Sequence, residues 1–290
     1  MYKIAILGCE NSHADAFCDY VLNSGKIKDV EIVGVYSDEE AANERLREKF
    51  GVYTAKSYDE FVGKIDGLMI TARHGDNHYK YAKPYIESGI PMFIDKPVTI
   101  SETDAVEFMK ELKAHNVSVT GGSCCVYDSA VQHMKSAVDC GRYGKALGGF
   151  LRAPLGANEK YGGFFFYSQH LVQVMCEIFG YYPDSVKMYE KNEVVTYVAR
   201  YNDYDIVGEF VDGNFTYYVS ASLEKDVKGD TFIVDASCFA VEFEEFYNLL
   251  KGNAQRQSYK EFIAPIFILN AMSRSLESGK EEVINKIEEI

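Results

Sequence analysis

Residues 2–13 read YKIAILGCENSH, a short apolar run followed by a polar turn. Residues 2–7 have the length and the Ile-rich composition of a buried parallel strand. Gly8 suits a tight turn, and either Asn11 or Ser12 can cap a helix that follows it. This stretch therefore predicts strand, turn and helix, the first unit of a parallel α/β sheet.

The same alternation continues through the first 121 residues. Further apolar runs predict buried strands at residues 30–36, 67–71, 91–94 and 117–120. Capping residues and helical spacing predict helices at residues 38–50, at 76–88 and from Ser101 onward. This order predicts a Rossmann-like, doubly wound parallel sheet, which forms a domain at residues 1–121.

The rhythm changes after about residue 145, where strand-like runs follow one another directly. Two of them are residues 197–200 and 206–211, and the Asp212-Gly213 pair predicts a hairpin into residues 215–220. Helical segments are predicted at residues 170–179 and 259–278. Residues 122–290 are therefore predicted to form an α+β domain on a mostly antiparallel open sheet.

Composition excludes several classes of protein. The 290 residues are 47% hydrophobic, which supports a sizeable core, and the net charge of −14 would repel nucleic acid and anionic membranes. The sequence shows neither an apolar run of about 18 residues nor a signal-like N-terminus, so we expect a cytoplasmic protein. Its seven cysteines form no C-x-x-C pair, which favours reduced thiols and no Cys-based zinc site.

Ligands of a doubly wound sheet bind at the carboxyl ends of its strands. The segments that follow the predicted strands are therefore the first place to look for a site. Their candidate cofactor-binding residues are Gly8, Asn11, Ser12, His13, Ser37, Asp38, Ala72, His74, His78 and Asp95, and Lys96 comes directly after the last of them.

Residues 89–97, GIPMFIDKP, are similar to the glycine, strand and E-K-P segment of the Gfo/Idh/MocA family of sugar and polyol dehydrogenases. His78 stands where that family has a loop histidine. Gly162-Gly163, His170 and Phe179-Gly180 resemble its glycine-rich turn, histidine and helix end. The resemblance covers nearly the whole chain, which is identified as a divergent member.

The resemblance implies hydride transfer between a nicotinamide cofactor and a hydroxyl-bearing carbon of a sugar, inositol or related polyol. Lys96 would donate a hydrogen bond to the reacting hydroxyl, and His170 would accept its proton as the general base. Arg152, Tyr161 and Gln169 are further candidates for substrate binding. The resemblance also implies a homodimer or homotetramer formed through the C-terminal sheet.

Several residues depart from the family pattern. Glu10 and His13 replace two glycines of the dinucleotide fingerprint, and the charge of Glu10 opposes binding of a pyrophosphate. Asp38 would repel a 2′-phosphate, so NAD is favoured over NADP if a cofactor binds. Phe166 and Gln173 replace the acidic residues that the family has beside its histidine.

Two other functions follow from these departures. The first is a relative that has lost redox chemistry and acts as a ligand-binding or regulatory protein. The second is a metal-dependent enzyme without redox chemistry, in which His13 and either His74 or His78 would bind the metal with Glu10 or Asp95. Cys124-Cys125 is interpreted as a pair of buried thiols, because the sequence offers these thiols no predicted partner base.

Overall fold

A computed structural model describes residues 1–290 and divides them into two units. Unit 1 comprises residues 1–122, 239–262 and 290, and unit 2 comprises residues 123–238 and 263–289. The first crossing between them follows Gly122. The return of residues 239–262 to unit 1 was not predicted.

Unit 1 contains a five-stranded parallel sheet with the strand order β2-β1-β3-β4-β5. A 3-10 helix at Lys83–Ser88 follows its third helix. The elements are β1 (Tyr2–Leu7), α1 (Ser12–Asn23), β2 (Val30–Tyr36), α2 (Glu40–Phe50), β3 (Gly67–Ile70), α3 (Asp76–Ala82), β4 (Met92–Asp95), α4 (Glu102–Ala114) and β5 (Val119–Gly122). The predicted Rossmann-like order of strands and helices is confirmed.

The core of unit 1 explains why residues 239–262 belong to it. Phe243 lies 6.1 Å from Phe17 of α1, ring centroid to centroid, and Phe17 lies 5.1 Å from Phe93 of β4. Phe246 belongs to the same buried cluster. The late segment thus supplies aromatic side chains that cover the parallel sheet.

Unit 2 is built on a seven-stranded sheet with the order β11-β10-β6-β9-β8-β7-β12. Its remaining elements, including two helices that cross between the units, are α5 (Ser129–Asp139), β6 (Ala146–Pro154), α6 (Phe165–Phe179), β7 (Ser185–Lys191), β8 (Val194–Arg200), β9 (Asp205–Val211), β10 (Tyr217–Leu223), β11 (Asp226–Phe232), α7 (Ala236–Leu250), α8 (Tyr259–Ser278) and β12 (Glu281–Val283). Two 3-10 helices, Cys124–Tyr127 and Glu159–Tyr161, complete the list. The predicted mostly antiparallel sheet is confirmed, and only β6 and β9 pair in parallel.

The prediction of a hairpin at Asp212-Gly213 is wrong. These residues do end β9, but β10 does not pair with β9, because β6 lies between the two strands and pairs with both. A local turn signal cannot show that β6, which ends far earlier in the chain at Pro154, will insert at that place.

Helix boundaries differ from the predictions at three places. The N-cap of α2 is Glu39, because the Asp38 carboxylate accepts tyrosine hydroxyls instead. The helix predicted to reach residue 88 becomes 3-10 at Lys83, one residue before Pro84, which has no backbone N–H to donate. Helix α6 begins at Phe165, five residues before the predicted start at His170.

Helix α8 has the bounds that its spacing predicts, Tyr259–Ser278. None of the helices combines the length and the apolar composition that crossing a bilayer would require.

Candidate active site

The loop after β1 is held tightly against the loop after β3. Gly8 has a φ of 77°, and a Cβ atom built on it would lie 2.4 Å from the backbone nitrogen of Ala72. Thr71 Oγ1 donates a hydrogen bond of 3.0 Å to the carbonyl oxygen of Gly8. Glycine is the residue that fits this crowded, left-handed position, so Gly8 serves the predicted turn independently of any ligand.

Glu10 turns inward from the same loop and is only 8% exposed. Its Oε2 accepts a hydrogen bond of 2.7 Å from Ser37 Oγ, and its Oε1 accepts one of 3.0 Å from the backbone nitrogen of Arg73. One carboxylate thus joins the chain segments that follow β1, β2 and β3. It lies at the carboxyl edge of the sheet, where the sequence predicts that a dinucleotide would bind.

A second buried carboxylate, Asp95, connects the ends of β1 and β4. It accepts hydrogen bonds from Asn11 Nδ2 at 2.9 Å and from the backbone nitrogen of Lys96 at 2.7 Å, and it lies 2.6 Å from His13 Nδ1. Burial raises the pKa of Asp95, but the charge and hydrogen bond of His13 and the charge of Lys96 hold it below its usual value. Asp95 is therefore an ionised group that orients the His13 ring.

The end of β2 is occupied by contacts within the protein. Asp38 accepts hydrogen bonds from Tyr36 at 2.5 Å and from Tyr81 at 2.7 Å. The hydrogen bond from Tyr36, with those from Tyr81 and Lys80, lowers the pKa of Asp38. The Asp38 side chain is nevertheless 51% exposed, so its carboxylate remains accessible to a ligand.

His78 is fully buried and has a structural environment. Its Nε2 lies 2.9 Å from the carbonyl oxygen of Ala72, and its Nδ1 lies 2.8 Å from that of Pro97. Burial lowers the pKa of His78. Because both ring nitrogens face backbone carbonyls, we do not retain His78 as a cofactor ligand.

His74 is directed along its own loop. Its Nδ1 accepts a hydrogen bond from the backbone nitrogen of Asp76 at 3.3 Å. No group of three or more His, Cys, Asp and Glu side chains is arranged to hold a metal ion. The ligand set of the metal-dependent alternative, His13 and His74 or His78 with Glu10 or Asp95, is therefore not assembled in this structure.

Lys96 lies directly after β4 and is only 4% exposed. Burying an ammonium group is costly, and packing alone gives no reason for one at the carboxyl end of a parallel strand, so Lys96 remains a candidate functional residue. The charge of Lys96 also acts on the carboxylate of Asp95.

In unit 2, His170 lies within α6 and is 4% exposed. Its Nδ1 lies 2.6 Å from Ser123 Oγ and 3.4 Å from Cys125 Sγ, and both of these partners are fully buried. The edge of the Tyr167 ring packs against the imidazole, with centroids 4.9 Å apart. The interpretation of Cys124-Cys125 as thiols without a partner base is therefore wrong for Cys125.

Two glutamines extend this group of side chains. Gln173 Oε1 accepts a hydrogen bond of 2.8 Å from the backbone nitrogen of Ser123 and one of 3.3 Å from Gln169 Nε2. Gln169 is fully buried in these contacts. Ser123 and Cys125 were not predicted as functional candidates, and Gln173 was predicted only as the replacement of an acidic residue. The polar triplet directly after β5 was the signal that could have identified the first two.

Tyr161 and Arg152, the other substrate candidates, have different environments. Tyr161 packs its ring on Phe166 at a centroid distance of 5.2 Å. Arg152 donates to Glu209 at 2.9 Å and points away from the face of β6 that carries the buried Leu151 and Ala153. Because α6 packs on that buried face, the structure does not bring Arg152 to His170.

The carboxyl edge of the unit 1 sheet has groups that fit a dinucleotide. Helix α1 begins at the exposed Ser12 with Asn11 as its N-cap, which offers backbone N–H groups to a phosphate. Asp38 offers a carboxylate for ribose hydroxyls. Glu10 opposes the phosphate, although two hydrogen bonds hold its carboxylate in place.

Comparison with protein families matches residues 2–123 to a family described as an oxidoreductase family with an NAD-binding Rossmann fold. Among curated proteins, the uncharacterized oxidoreductase YhhX of Escherichia coli K12 is 27% identical over 97 residues, which are 33% of this chain and 28% of that protein. An uncharacterized oxidoreductase of Streptococcus pneumoniae is 25% identical over 170 residues, 54% of this chain and 46% of that protein. The chain thus spans less than half the length of these relatives.

Solved structures match over both units. A scyllo-inositol dehydrogenase from Lactobacillus casei with bound NAD(H) and scyllo-inositol has a TM-score of 0.85 at 15% identity, over 98% of this chain and 99% of that one. A myo-inositol dehydrogenase from the same organism, in complex with NAD(H) and myo-inositol, has a TM-score of 0.86 at 13% identity, over 100% and 98%. A myo-inositol 2-dehydrogenase from Lactobacillus plantarum has a TM-score of 0.83 at 18% identity, over 98% and 99%. At these identities the likeness shows a shared fold.

Proposed function

We propose that the protein is an NAD-dependent dehydrogenase that acts on a polyol, because residues 2–123 match the model of the Gfo/Idh/MocA oxidoreductase family. The observation that carries the proposal is Lys96, a buried lysine at the carboxyl end of β4 in a domain of an NAD-binding family. His170, whose ring is held through Nδ1, supplies a second group suited to proton transfer.

In this proposal Asn11, Ser12 and Asp38 would hold the dinucleotide, and its nicotinamide would supply the two-electron acceptor. The exposed carboxylate of Asp38 would repel a 2′-phosphate, which favours NAD over NADP.

The protein's own groups manage the proton and the charge. Lys96 donates a hydrogen bond to the reacting hydroxyl and stabilises the negative charge that develops on its oxygen. His170 accepts the hydroxyl proton, while the carbinol carbon loses its hydride and becomes a carbonyl. The same groups act in the opposite sense when a ketone is reduced.

The proposed substrate is a ring polyol of the inositol type. This choice is supported by the inositol dehydrogenases among the structures of the same fold. A panel of myo-inositol, scyllo-inositol, aldoses and sugar acids, assayed by NADH formation, tests it. Turnover of an aldose without turnover of either inositol would contradict the proposed substrate class, while the proposed dehydrogenase activity would stand.

Cofactor binding is tested first, by titrating the protein with NADH and with NADPH and following nicotinamide fluorescence and thermal stability. We expect saturable binding of NADH and weaker binding of NADPH. If neither cofactor gives a signal at millimolar concentration, the dehydrogenase proposal fails.

Replacing Lys96 with alanine should then separate chemistry from binding. We expect kcat to fall by about 100-fold or more, because a group that stabilises developing charge is lost, with little change in NADH affinity. Lys56→Ala, at an exposed lysine, is the matched control. Unchanged kcat in Lys96→Ala would exclude Lys96 from the mechanism.

A second candidate is a ligand-binding protein without redox chemistry. The observation that favours it is the Glu10 carboxylate, which bridges Ser37 and Arg73 where the pyrophosphate would pass. Absence of NADH binding together with binding of a polyol, measured by calorimetry, would support this candidate over the enzyme.

The proposed assembly is a homodimer or homotetramer formed through the unit 2 sheet. The sheet face that carries Arg152 also carries Phe150 and Tyr218, whose ring centroids lie 6.2 Å apart. Light scattering of the purified protein tests this, and a monomer at micromolar concentration would contradict it.

A further inference from the structure

The residues after β5 bring a hydroxyl and a thiol to one nitrogen of His170. Ser123 Oγ lies 2.6 Å and Cys125 Sγ 3.4 Å from Nδ1. Gln173 fixes the Ser123 backbone, and Ser123 Oγ accepts a hydrogen bond of 3.3 Å from the backbone nitrogen of Cys125. All of these groups lie in unit 2 and are buried.

The helix that carries His170 offers it no acid at the four positions that lie one turn away on the same face. These positions are occupied by uncharged residues, namely Phe166, Tyr167, Gln173 and Val174. A histidine that transfers protons needs a partner that fixes its tautomer and stabilises the imidazolium. In this structure the groups at hydrogen-bonding distance from Nδ1 are Ser123 and Cys125.

We propose that Cys125 is a thiolate which, with Ser123, accepts a hydrogen bond from Nδ1–H of His170 and so performs the positioning that an acidic residue would otherwise provide. Nδ1–H donates to Ser123 Oγ and Cys125 Sγ, and proton transfer to or from substrate takes place at Nε2. Ser123 and Cys125 are positioning residues. The effect on catalysis rests on the proposed dehydrogenase function. The ion pair between the Cys125 thiolate and the protonated His170 ring does not depend on that function.

The surroundings of Cys125 favour its anionic form. Burial raises the pKa of the Cys125 thiol, but the hydrogen bond with Cys124 and the charge and hydrogen bonds of His170 and Ser123 outweigh it. The pKa therefore lies well below the usual thiol value. Charge-assisted hydrogen bonds of this kind are stronger than neutral ones.

Two tyrosines and one cysteine near Cys125 and His170 stay neutral. Burial and the charge of Cys125 raise the pKa of Tyr167, whose ring contacts His170, and that of Tyr217, whose hydroxyl donates to Tyr167 at 3.1 Å. Burial raises the pKa of Cys238, which senses the charge of Cys125, to about 11. From the N-cap of α5, Asp128 accepts hydrogen bonds from two backbone nitrogens, those of Ala130 and Ile233.

Cys176 provides a matched control for Cys125. It is also a buried thiol of unit 2, but burial and the charge of Glu177 raise its pKa above the usual thiol value. Replacement of either cysteine by alanine removes one thiol from the same unit. Only Cys125→Ala removes the thiol that contacts His170.

The ultraviolet thiolate absorbance of the whole protein tests the ion pair without any assay of activity. We expect one thiolate per chain at neutral pH, absent in Cys125→Ala, retained in Cys176→Ala, and diminished in His170→Asn. A Cys125→Ala spectrum identical to wild type would overturn the proposal. If the alanine variant does not fold, Cys125→Ser gives the same comparison with nearly the same volume.

The pH dependence of the proposed oxidation tests the catalytic consequence. A thiolate stabilises the imidazolium, so Cys125→Ser should move the acidic limb of the kcat/KM profile to lower pH, while Cys176→Ala should not move that limb. An unmoved limb in an active Cys125→Ser enzyme would overturn the positioning role. If no dehydrogenase activity exists, the absorbance experiment still decides the ion pair, so the two failures are distinguishable.

Discussion

Glu10 illustrates how one side chain at a sheet edge bears on two candidate functions. Its carboxylate receives hydrogen bonds from Ser37 and Arg73, so it stabilises the fold. The same carboxylate brings negative charge to the N-terminal end of α1, where a phosphate would bind. Its net effect on a cofactor can therefore be measured directly.

Replacing Glu10 with glycine should strengthen NADH binding. Removal of the opposing charge should lower Kd by about 3- to 10-fold, and loss of two buried hydrogen bonds should lower the free energy of unfolding by about 1–3 kcal/mol. The measurement is a fluorescence titration, paired with chemical denaturation.

Glu10→Gln is the matched variant, because it removes the charge and keeps the side chain. Tighter binding in both variants assigns the effect to charge. Weaker binding in both would show instead that Glu10 helps to form the cofactor site.

Asp95 makes stability depend on pH in a definite direction. Its folded pKa lies below its usual value, so its contribution is complete above the unfolded carboxyl pKa of about 3.9 and is lost as the pH falls through the folded pKa. Asp95→Asn should lower the free energy of unfolding by about 1–3 kcal/mol at neutral pH. The difference from wild type should shrink below about pH 4.

Urea denaturation at several pH values measures this difference. Glu87→Gln, at an exposed glutamate, should show almost none of it. A constant difference between wild type and Asp95→Asn down to pH 3 would contradict the assignment of charge to Asp95.

At the scale of elements, β4 and β5 approach so closely that a glycine is required between them. Gly121 pairs with Ile94 and has a φ of 125°, and a Cβ atom built there would lie 2.1 Å from the Ile94 carbonyl oxygen. The strand pairing that places Lys96 at the edge of the sheet therefore requires that residue 121 be a glycine.

Gly121→Ala should lower the free energy of unfolding by about 3 kcal/mol or more, because backbone strain adds to a clash with backbone atoms. Gly63→Ala is the matched control, since Gly63 also has a positive φ, 72°, with no atom within 4 Å of the added Cβ. We expect it to cost about 1 kcal/mol. Equal costs in the two variants would show that the clash is relieved by a small movement of the strands.

The strands of unit 2 show the limit of local signals. Residues 197–200 and 206–211 lie within β8 and β9, as their alternation predicts. The neighbours of each strand depend on β6, which inserts between β9 and β10. Side-chain alternation shows which face of a strand is buried, but not which strand lies beside it.

At the scale of the whole molecule, unit 1 is completed by a segment from late in the chain. Phe243, Phe246 and Leu250 belong to its buried cluster. Truncating a buried phenylalanine typically costs about 3–5 kcal/mol, which is a large part of the stability of a domain.

A fragment of residues 1–122 should therefore fail to fold cooperatively. Fusion of residues 239–262 to this fragment through a flexible linker should restore a cooperative urea transition. Circular dichroism of the two proteins measures the effect. A stable, cooperative fragment 1–122 would show that the late segment is dispensable.

The sequence predicted much of the fold because its signals are local. Five apolar runs separated by capped helices were enough for the parallel sheet, and α8 was placed at its observed bounds. The site was predicted less completely. Lys96 was found because it directly follows a predicted strand, whereas the partners of His170 were missed.

The sequence by itself determined the alternation of strands and helices, the turn at Gly8 and the place of Lys96 after β4, because each depends on residues adjacent in the chain. Only the tertiary structure decided what surrounds His170, since Ser123 lies 47 residues away in sequence. It likewise decided that Glu10 turns toward Ser37 and Arg73. Such contacts form only when the packing of the whole sheet brings distant segments together, which no local pattern records.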